Sequence, residues 1–330
     1  MNYFVPLTVF ERFSQHTLVK KISLFIIFTI SINVFAQSEI KICSFNIKFI
    51  GNYEKRDNKA LADYLKQYDV IVIQEMVSPP ITGTYPSGKK FKVDKESKAF
   101  FEAMLDQGFD YILSKEDTGK GKRNNRNGSV TEWFIAFYKS DVVQNIDTFS
   151  DFIAEDRSAN PNFTRVPHTF SFKSINGKID FTLISVHLEA GKGKNPRKQR
   201  AKEFKAIENW INKNNSNEKD FIVLGDMNIE NKAELNKVLF KGYQSLNADC
   251  KTTTHAKKKV SPYDHVFYSI DYTQTELKNN FKITNLITAM EKYWNPSNGA
   301  YPKNRPRLFE QYFSDHFPIS FSLIPIRDDD

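Results

Sequence analysis

Short apolar segments that run into an acid, an amide or a histidine recur along the whole chain, and this recurrence limits the possible folds more than any other feature. Ile40-Lys41-Ile42-Cys43-Ser44-Phe45-Asn46-Ile47 alternates like a strand with one buried face, whereas residues 69–74 are apolar enough to be buried on both faces. Further strands are predicted at 110–113, 133–138, 169–172, 181–186, 221–224, 266–268 and 319–323. At or beside these segments stand Asn46, Glu75, His187, Asp226 with Asn228, Asp264, and Asp315 with His316. Strand ends converge at one rim in a layered sheet protein, so segments far apart in sequence can build a single site there.

Helices are predicted between some of the strands. Ala60, Leu61, Tyr64, Leu65 and Tyr68 form one stripe, residues 96–107 a second helix, and Ala201, Phe204, Ile207 and Ile211 the inward face of a third. Strands outnumber helices and are joined partly as hairpins and partly through helical crossovers. The pattern predicts an α/β fold, a four-layer α/β/β/α sandwich of two mixed sheets. No repeat, linker or composition break interrupts residues 37–330, which are therefore expected to form one domain. With 40% apolar and 14% aromatic residues the chain has ample material for a core.

The first 36 residues read differently. Lys20-Lys21 precede an apolar run from Ile22 to Phe35, and Val34 and Ala36 suit cleavage after Ala36. This is the layout of a signal peptide, and a secreted or periplasmic protein without stable membrane association is the expectation. The run is too short and too polar for a comfortable membrane span. Only Cys43 and Cys250 are present, which excludes a disulfide framework and a cysteine zinc site. A single bridge between them is allowed in an oxidising compartment, but two unpaired thiols are expected, because Cys43 falls within a predicted core strand. A formal charge of +8 favours polyanionic partners.

The residue types at the strand ends are chemically coherent. Carboxylate and amide oxygens from Asn46, Glu75, Asp226, Asn228 and Asp315 are hard ligands suited to Mg²⁺, Mn²⁺ or Ca²⁺. His187 and His316 titrate near neutrality and can pass protons if a carboxylate orients each ring. Taken singly, an Asp or Asn after a strand is commonly a turn or cap, and a buried histidine is commonly a satisfied core residue. Those plain explanations do not account for the whole set.

Ser44-Phe45-Asn46-Ile47, Ile73-Gln74-Glu75, Ser185-Val186-His187, Leu224-Gly225-Asp226-Met227-Asn228 and Ser314-Asp315-His316-Phe317-Pro318 resemble, in order, the successive motifs of the endonuclease/exonuclease/phosphatase family. Glu132, Phe163-Thr164-Arg165-Val166-Pro167 and Pro262-Tyr263-Asp264 further resemble the deoxyribonuclease I branch. The resemblance implies that Glu132 pairs with His187, that Asp264 pairs with His316, and that Arg165 and Asn228 contact the substrate phosphate. It implies a metal-dependent endonuclease acting on nucleic acid, DNA before RNA; a monomer is expected, and the working hypothesis takes His316–Asp264 as base and His187–Glu132 as acid. Two departures stand out. Val77 and Val130 occupy positions where that branch places minor-groove side chains, which leaves Lys120, Lys122, Arg123 and Arg126 in the Gly/Asn-rich loop 115–128 either to grip phosphates or to form a solvated face. A phospholipid or inositol-phosphate hydrolase, and a binding protein without catalysis, are alternatives on the same scaffold.

Overall fold

The computed structural model describes residues 1, 39–52, 55–119, 131–149, 151–153, 162–216, 218–254 and 261–326. Glu39–Asp330 cluster as one unit distinct from Met1–Ser38. The expected signal peptide beyond Met1, and Lys120, Lys122, Arg123, Arg126 and Val130, lie outside the described residues.

The chain runs β1 (Ile40–Ile50), α1 (Asn58–Leu65), β2 (Val70–Met76), a small hairpin of β3 (Gly83–Thr84) and β4 (Lys90–Phe91), α2 (Lys95–Leu105), β5 (Asp110–Leu113), β6 (Trp133–Tyr138) and β7 (Val143–Asn145). It continues through β8 (His168–Ser174), β9 (Asp180–His187), α3 (Lys194–Asn214), β10 (Phe221–Asp226), α4 (Lys232–Val238), β11 (Tyr243–Ser245) and β12 (Asp264–Ser269). The last elements are β13 (Leu277–Ile283), α5 (Leu286–Ala289), α6 (Pro306–Tyr312) and β14 (Ile319–Leu323). Side chains of Asp57, Asp94 and Asn231 cap α1, α2 and α4 by accepting the N–H of Ala60, Ser97 and Glu234.

Two six-stranded sheets result, ordered β13-β14-β1-β2-β6-β5 and β11-β12-β10-β9-β8-β7. Each contains one parallel pair joined through a helix, β1 with β2 and β9 with β10, and the remaining pairings are antiparallel. The sheets face each other across a core that includes Ile42, Val72, Phe134, Phe170, Phe181, Leu183, Leu224 and Phe321. The outer face of the first sheet packs Phe45, Ile71 and Phe137 against Leu61 and Leu65 of α1, Phe100 of α2 and Phe309 of α6. The second sheet packs Val186, Phe221 and Phe267 against Phe204, Ile207 and Ile211 of α3 and Leu235 of α4. Three apolar layers between four structural layers give the expected α/β/β/α sandwich, because each strand face is apolar and must be covered.

The predicted strands are all present within a few residues. Sequence patterning missed β7, β11, β13 and the β3–β4 hairpin. These are short or edge elements that bury few side chains, so their alternation is weak; β13, for instance, has no fully buried residue. Cys43 is buried and Cys250 exposed, and both are free.

Candidate active site

The parallel pairs determine where the polar strand ends go. β1 and β2 run in the same direction, as do β9 and β10, so the C-terminal ends within each pair lie together. The register sets His187 opposite Asp226 and Asp226 opposite Asp264, which places three of the expected residues side by side on β9, β10 and β12. Gly225 makes this pairing possible. Its φ is +137°, and a Cβ there would come within 2.1 Å of Val186 O.

On the first sheet the ladder is broken where the chemistry starts. Regular pairing of β1 with β2 stops at Asn46, and the β2–β6 register shifts between Ile73 and Met76. Among the described residues, the only non-glycine positions with positive φ are Lys48, Phe49, Glu75 and Asn228, all at or next to this rim. Left-handed backbone at such residues costs free energy and persists only where surrounding bonds impose it. Here those bonds are visible. The Glu75 N–H is accepted by Glu132 Oε2, Phe49 N–H donates to Glu75 Oε2 at 3.0 Å, and Asn228 N–H donates to Asp226 Oδ1 at 3.0 Å.

The two sheets meet through Asn46. Its Nδ2 donates to Glu75 Oε1 at 2.9 Å and to Asp226 Oδ2 at 3.0 Å, while its Oδ1 accepts the Lys48 N–H at 3.0 Å. In the ion-free protein the expected ligand Asn46 thus bridges two carboxylates. Two histidines flank the same acid: His187 Nε2 and His316 Nε2 each lie 3.6 Å from Asp226 Oδ2. The opposite nitrogen of each ring faces a buried carboxylate. His316 Nδ1 is 2.8 Å from Asp264 Oδ2, and His187 Nδ1 is 3.1 Å from Glu132 Oε1, an ion-pair distance without hydrogen-bond alignment. Both implied histidine–carboxylate pairs are therefore formed.

Burial and neighbouring charge set the protonation of these groups. Burial holds the Glu75 carboxyl above its ordinary value, against the opposing pull of His187 and the Asn46 amide. Burial works against a charged His316, yet the carboxylates of Asp264 and Asp226 outweigh it and hold the ring well above its ordinary value. For His187, burial and Arg165 disfavour the cation, and Glu132 and Asp226 outweigh both, so its value is raised. Burial likewise opposes ionisation of Glu132, but the charges of His187 and Arg165 and the bond from the Glu75 N–H bring its value down.

The remaining expected residues surround this centre. Arg165 donates from Nη1 to His187 O at 3.2 Å and Leu188 O at 3.3 Å, with Nε 3.7 Å from Glu132 Oε1, so it is fixed beside the His187–Glu132 pair. Asn228 Nδ2 donates to Leu188 O at 3.1 Å. Asp315 is turned to Lys48, whose Nζ lies 3.1 Å from its Oδ2 and 2.6 Å from Glu310 Oε2. Sequence reading did not single out Lys48 or Glu310. Only Lys48 carried a signal, its position two residues after Asn46; Glu310 sits on α6 with no motif around it. Val77 is buried.

Among the described residues, two sets of side chains bring donor atoms close enough to hold a cation: Glu75, His187 and Asp226, and Asp226, Asp264 and His316. Three buried carboxylates gather here, and two of them, Glu75 and Asp264, are held above their ordinary values chiefly by burial, which is a fitting environment for a divalent ion.

The sequence matches the Endonuclease/Exonuclease/phosphatase family over residues 43–316. The chain belongs to the endonuclease/exonuclease/phosphatase family. No curated protein matches it by sequence. Among solved structures, an endonuclease/exonuclease/phosphatase family protein from Bacteroides thetaiotaomicron superposes with a TM-score of 0.54 at 15% identity, covering 88% of this chain and 98% of that one. A mannosyl-6-phosphatase from the same organism gives 0.53 at 15% identity, covering 86% and 99%. D. rerio TDP2, solved with a single-strand DNA product, gives 0.53 at 13% identity, covering 87% and 99%. At such identities these likenesses carry the fold of the family, and the site must speak for the chemistry.

Proposed function

We propose that the protein is a secreted, divalent-metal-dependent endonuclease that hydrolyses phosphodiester bonds of DNA, with RNA as a possible further substrate, and acts as a monomer. The observation that carries this reading is the convergence of His187 and His316 on one oxygen of Asp226, each ring backed by its own carboxylate. One such pair can take a proton from water while the other delivers one to the leaving oxygen.

In this reading Asn46, Glu75, Asp226, Asn228 and Asp315 would hold Mg²⁺ or Mn²⁺, and Ca²⁺ is a further candidate. The bound ion neutralises charge that develops on the phosphate. Asn46 keeps Glu75 and Asp226 apart and oriented. In this scheme Asp264 orients His316 as base and Glu132 orients His187 as acid. Because Asp264 and Asp226 favour the protonated His316 ring in the ion-free protein, that ring must first release its proton before Nε2 can accept one from the attacking water. Arg165, set against Glu132 and the carbonyl of His187, is positioned to steady the phosphate and to favour the return of His187 to its neutral form.

The positive charge of the chain and the DNA product in TDP2 support nucleic acid as substrate. Digestion of supercoiled plasmid by protein lacking residues 1–36 tests the reading. Nicking that needs Mg²⁺ or Mn²⁺, stops with chelator and is lost in His187→Ala is the expected result. Release of phosphate or headgroups from small phosphoesters without any nicking would transfer the assignment to a phosphatase on the same fold.

A further inference from the structure

A second assembly lies behind the candidate site, centred on Arg56. Its side chain is fully enclosed. Nη1 donates to Ile47 O at 2.6 Å and also to Phe313 O, Nη2 donates to Lys48 O, and Nε donates to Glu96 Oε1 at 2.8 Å. The carbonyls belong to two segments remote in sequence. Ile47 and Lys48 directly follow Asn46, whereas Phe313 directly precedes Ser314-Asp315-His316.

Other bonds join the same two segments. Ser314 Oγ donates to Asn46 O at 2.7 Å, and Asp57 N–H donates to Tyr312 O at 3.1 Å. Glu96 anchors the arginine in turn, since its second oxygen accepts the Gly51 N–H at 2.8 Å. Gly51 has a φ of +105°, and a Cβ there would lie 2.8 Å from Ser78 Cβ, so the chain leaving β1 has little room to move. The second sheet repeats the device. Arg200 on α3 is also fully enclosed, and its Nη1 donates to Glu189 O and Gly191 O, just beyond His187, at 2.9 Å each.

A guanidinium presents five donors in a rigid plane, which lets one side chain hold three carbonyls and a carboxylate at once; an ammonium cannot span that set. We propose that Arg56 is a positioning residue that sets the spacing between the Asn46 segment and the Asp315–His316 segment. It acts through Asn46, which clamps Glu75 and Asp226, and through the loop that carries His316. The inference rests on the reading of the site as a divalent-ion phosphoesterase centre, in which a displacement of about 1 Å costs on the order of 100-fold in rate.

A purely structural arginine would change the melting temperature and leave ion binding by the folded protein alone. The test compares the wild type with Arg56→Lys and Arg56→Ala, each at a temperature where circular dichroism shows it fully folded. Mn²⁺ binding to metal-free protein is measured by calorimetry, and kcat and KM on plasmid are measured separately. Expected for both variants are Mn²⁺ affinity weakened about 10-fold or more and a fall in kcat of about 100-fold that exceeds any change in KM. Added guanidinium at low concentration should restore part of kcat in Arg56→Ala and none in Arg56→Lys, where the space is filled. If Arg56→Ala does not fold, Arg56→Lys decides. Mn²⁺ affinity and kcat within twofold of wild type in the folded variants overturn the proposal while leaving the metal reading in place. Absence of Mn²⁺ binding by the wild type removes that reading, and the proposal with it.

Discussion

Asn46 and Asp226 are 180 residues apart in sequence, yet Asn46 Nδ2 donates to Asp226 Oδ2 at 3.0 Å and joins the rim of one sheet to the rim of the other. The same amide nitrogen donates to Glu75, so one neutral side chain holds two buried carboxylates in a fixed relation. An aspartate at this position would add a third negative charge where a donor is needed. Asn46→Ala and Asn46→Asp should therefore both lower turnover, by about 100-fold on the scale of a lost charge-assisted bond and a misplaced ligand. Calorimetry with Mn²⁺ should show weakened binding for Asn46→Ala; unchanged affinity would remove the clamp from the account.

The two histidines are expected to act together. His187→Ala and His316→Ala should each reduce kcat by about 10²–10⁴-fold with circular dichroism unchanged. The double variant should fall little further than the worse single one, because residues that act as a unit are not additive. Near-normal turnover in both single variants would sink the acid–base scheme.

Glu132 raises the pKa of His187 and Asp226 adds to the effect, against burial and Arg165. Removing the Glu132 charge leaves the opposing influences in place, so His187 in Glu132→Gln should titrate at lower pH than in the wild type. NMR titration of the metal-free proteins checks the direction. A His187 that holds its proton to the same pH in the variant would separate the two residues.

Gly225→Ala tests the pairing that sets His187 beside Asp226. The added methyl group would meet Val186 O at 2.1 Å on backbone with a φ of +137°. The expected loss is about 3 kcal/mol or more, at the severe end for a single substitution. Urea unfolding measures it, and a change below about 1 kcal/mol would mean that β9 and β10 can part without cost.

His265 gives a pH dependence unrelated to turnover. It is enclosed, with Nδ1 3.0 Å from Asn247 O, and burial pushes its pKa down from 6.5 to about 4. Below pH 6.5 the unfolded chain takes up a proton that the folded protein refuses. The stability due to neutral His265 is thus complete above pH 6.5 and is lost as pH falls towards 4, a change of roughly 3 kcal/mol in all. Urea titrations at pH 7.5 and 5 should show a steeper loss for the wild type than for His265→Gln; parallel curves would exclude this residue as the cause.

Much of the architecture could be read directly because it depends on local patterning. The alternation in 40–47 and the apolar run in 69–74 mark strands wherever they occur, since the faces they must bury follow from the side chains themselves. The histidine–carboxylate pairs were legible for another reason: the motifs that carry them come in a fixed order. Arg56 and Glu310 were not legible, and Lys48 only through its place two residues after Asn46. An arginine in a short loop and a glutamate on a helix look like surface residues until the fold encloses them.

By itself the sequence determined which core segments become strands and helices, and which polar residues end them, because propensity and periodicity act over a few neighbouring residues. Tertiary structure alone decided that Asn46 turns its amide to Glu75 and Asp226, that Asp315 faces Lys48, and that Arg56 binds the carbonyls of two distant segments. These are contacts between elements remote in sequence, and their donors find acceptors only after those elements have packed together.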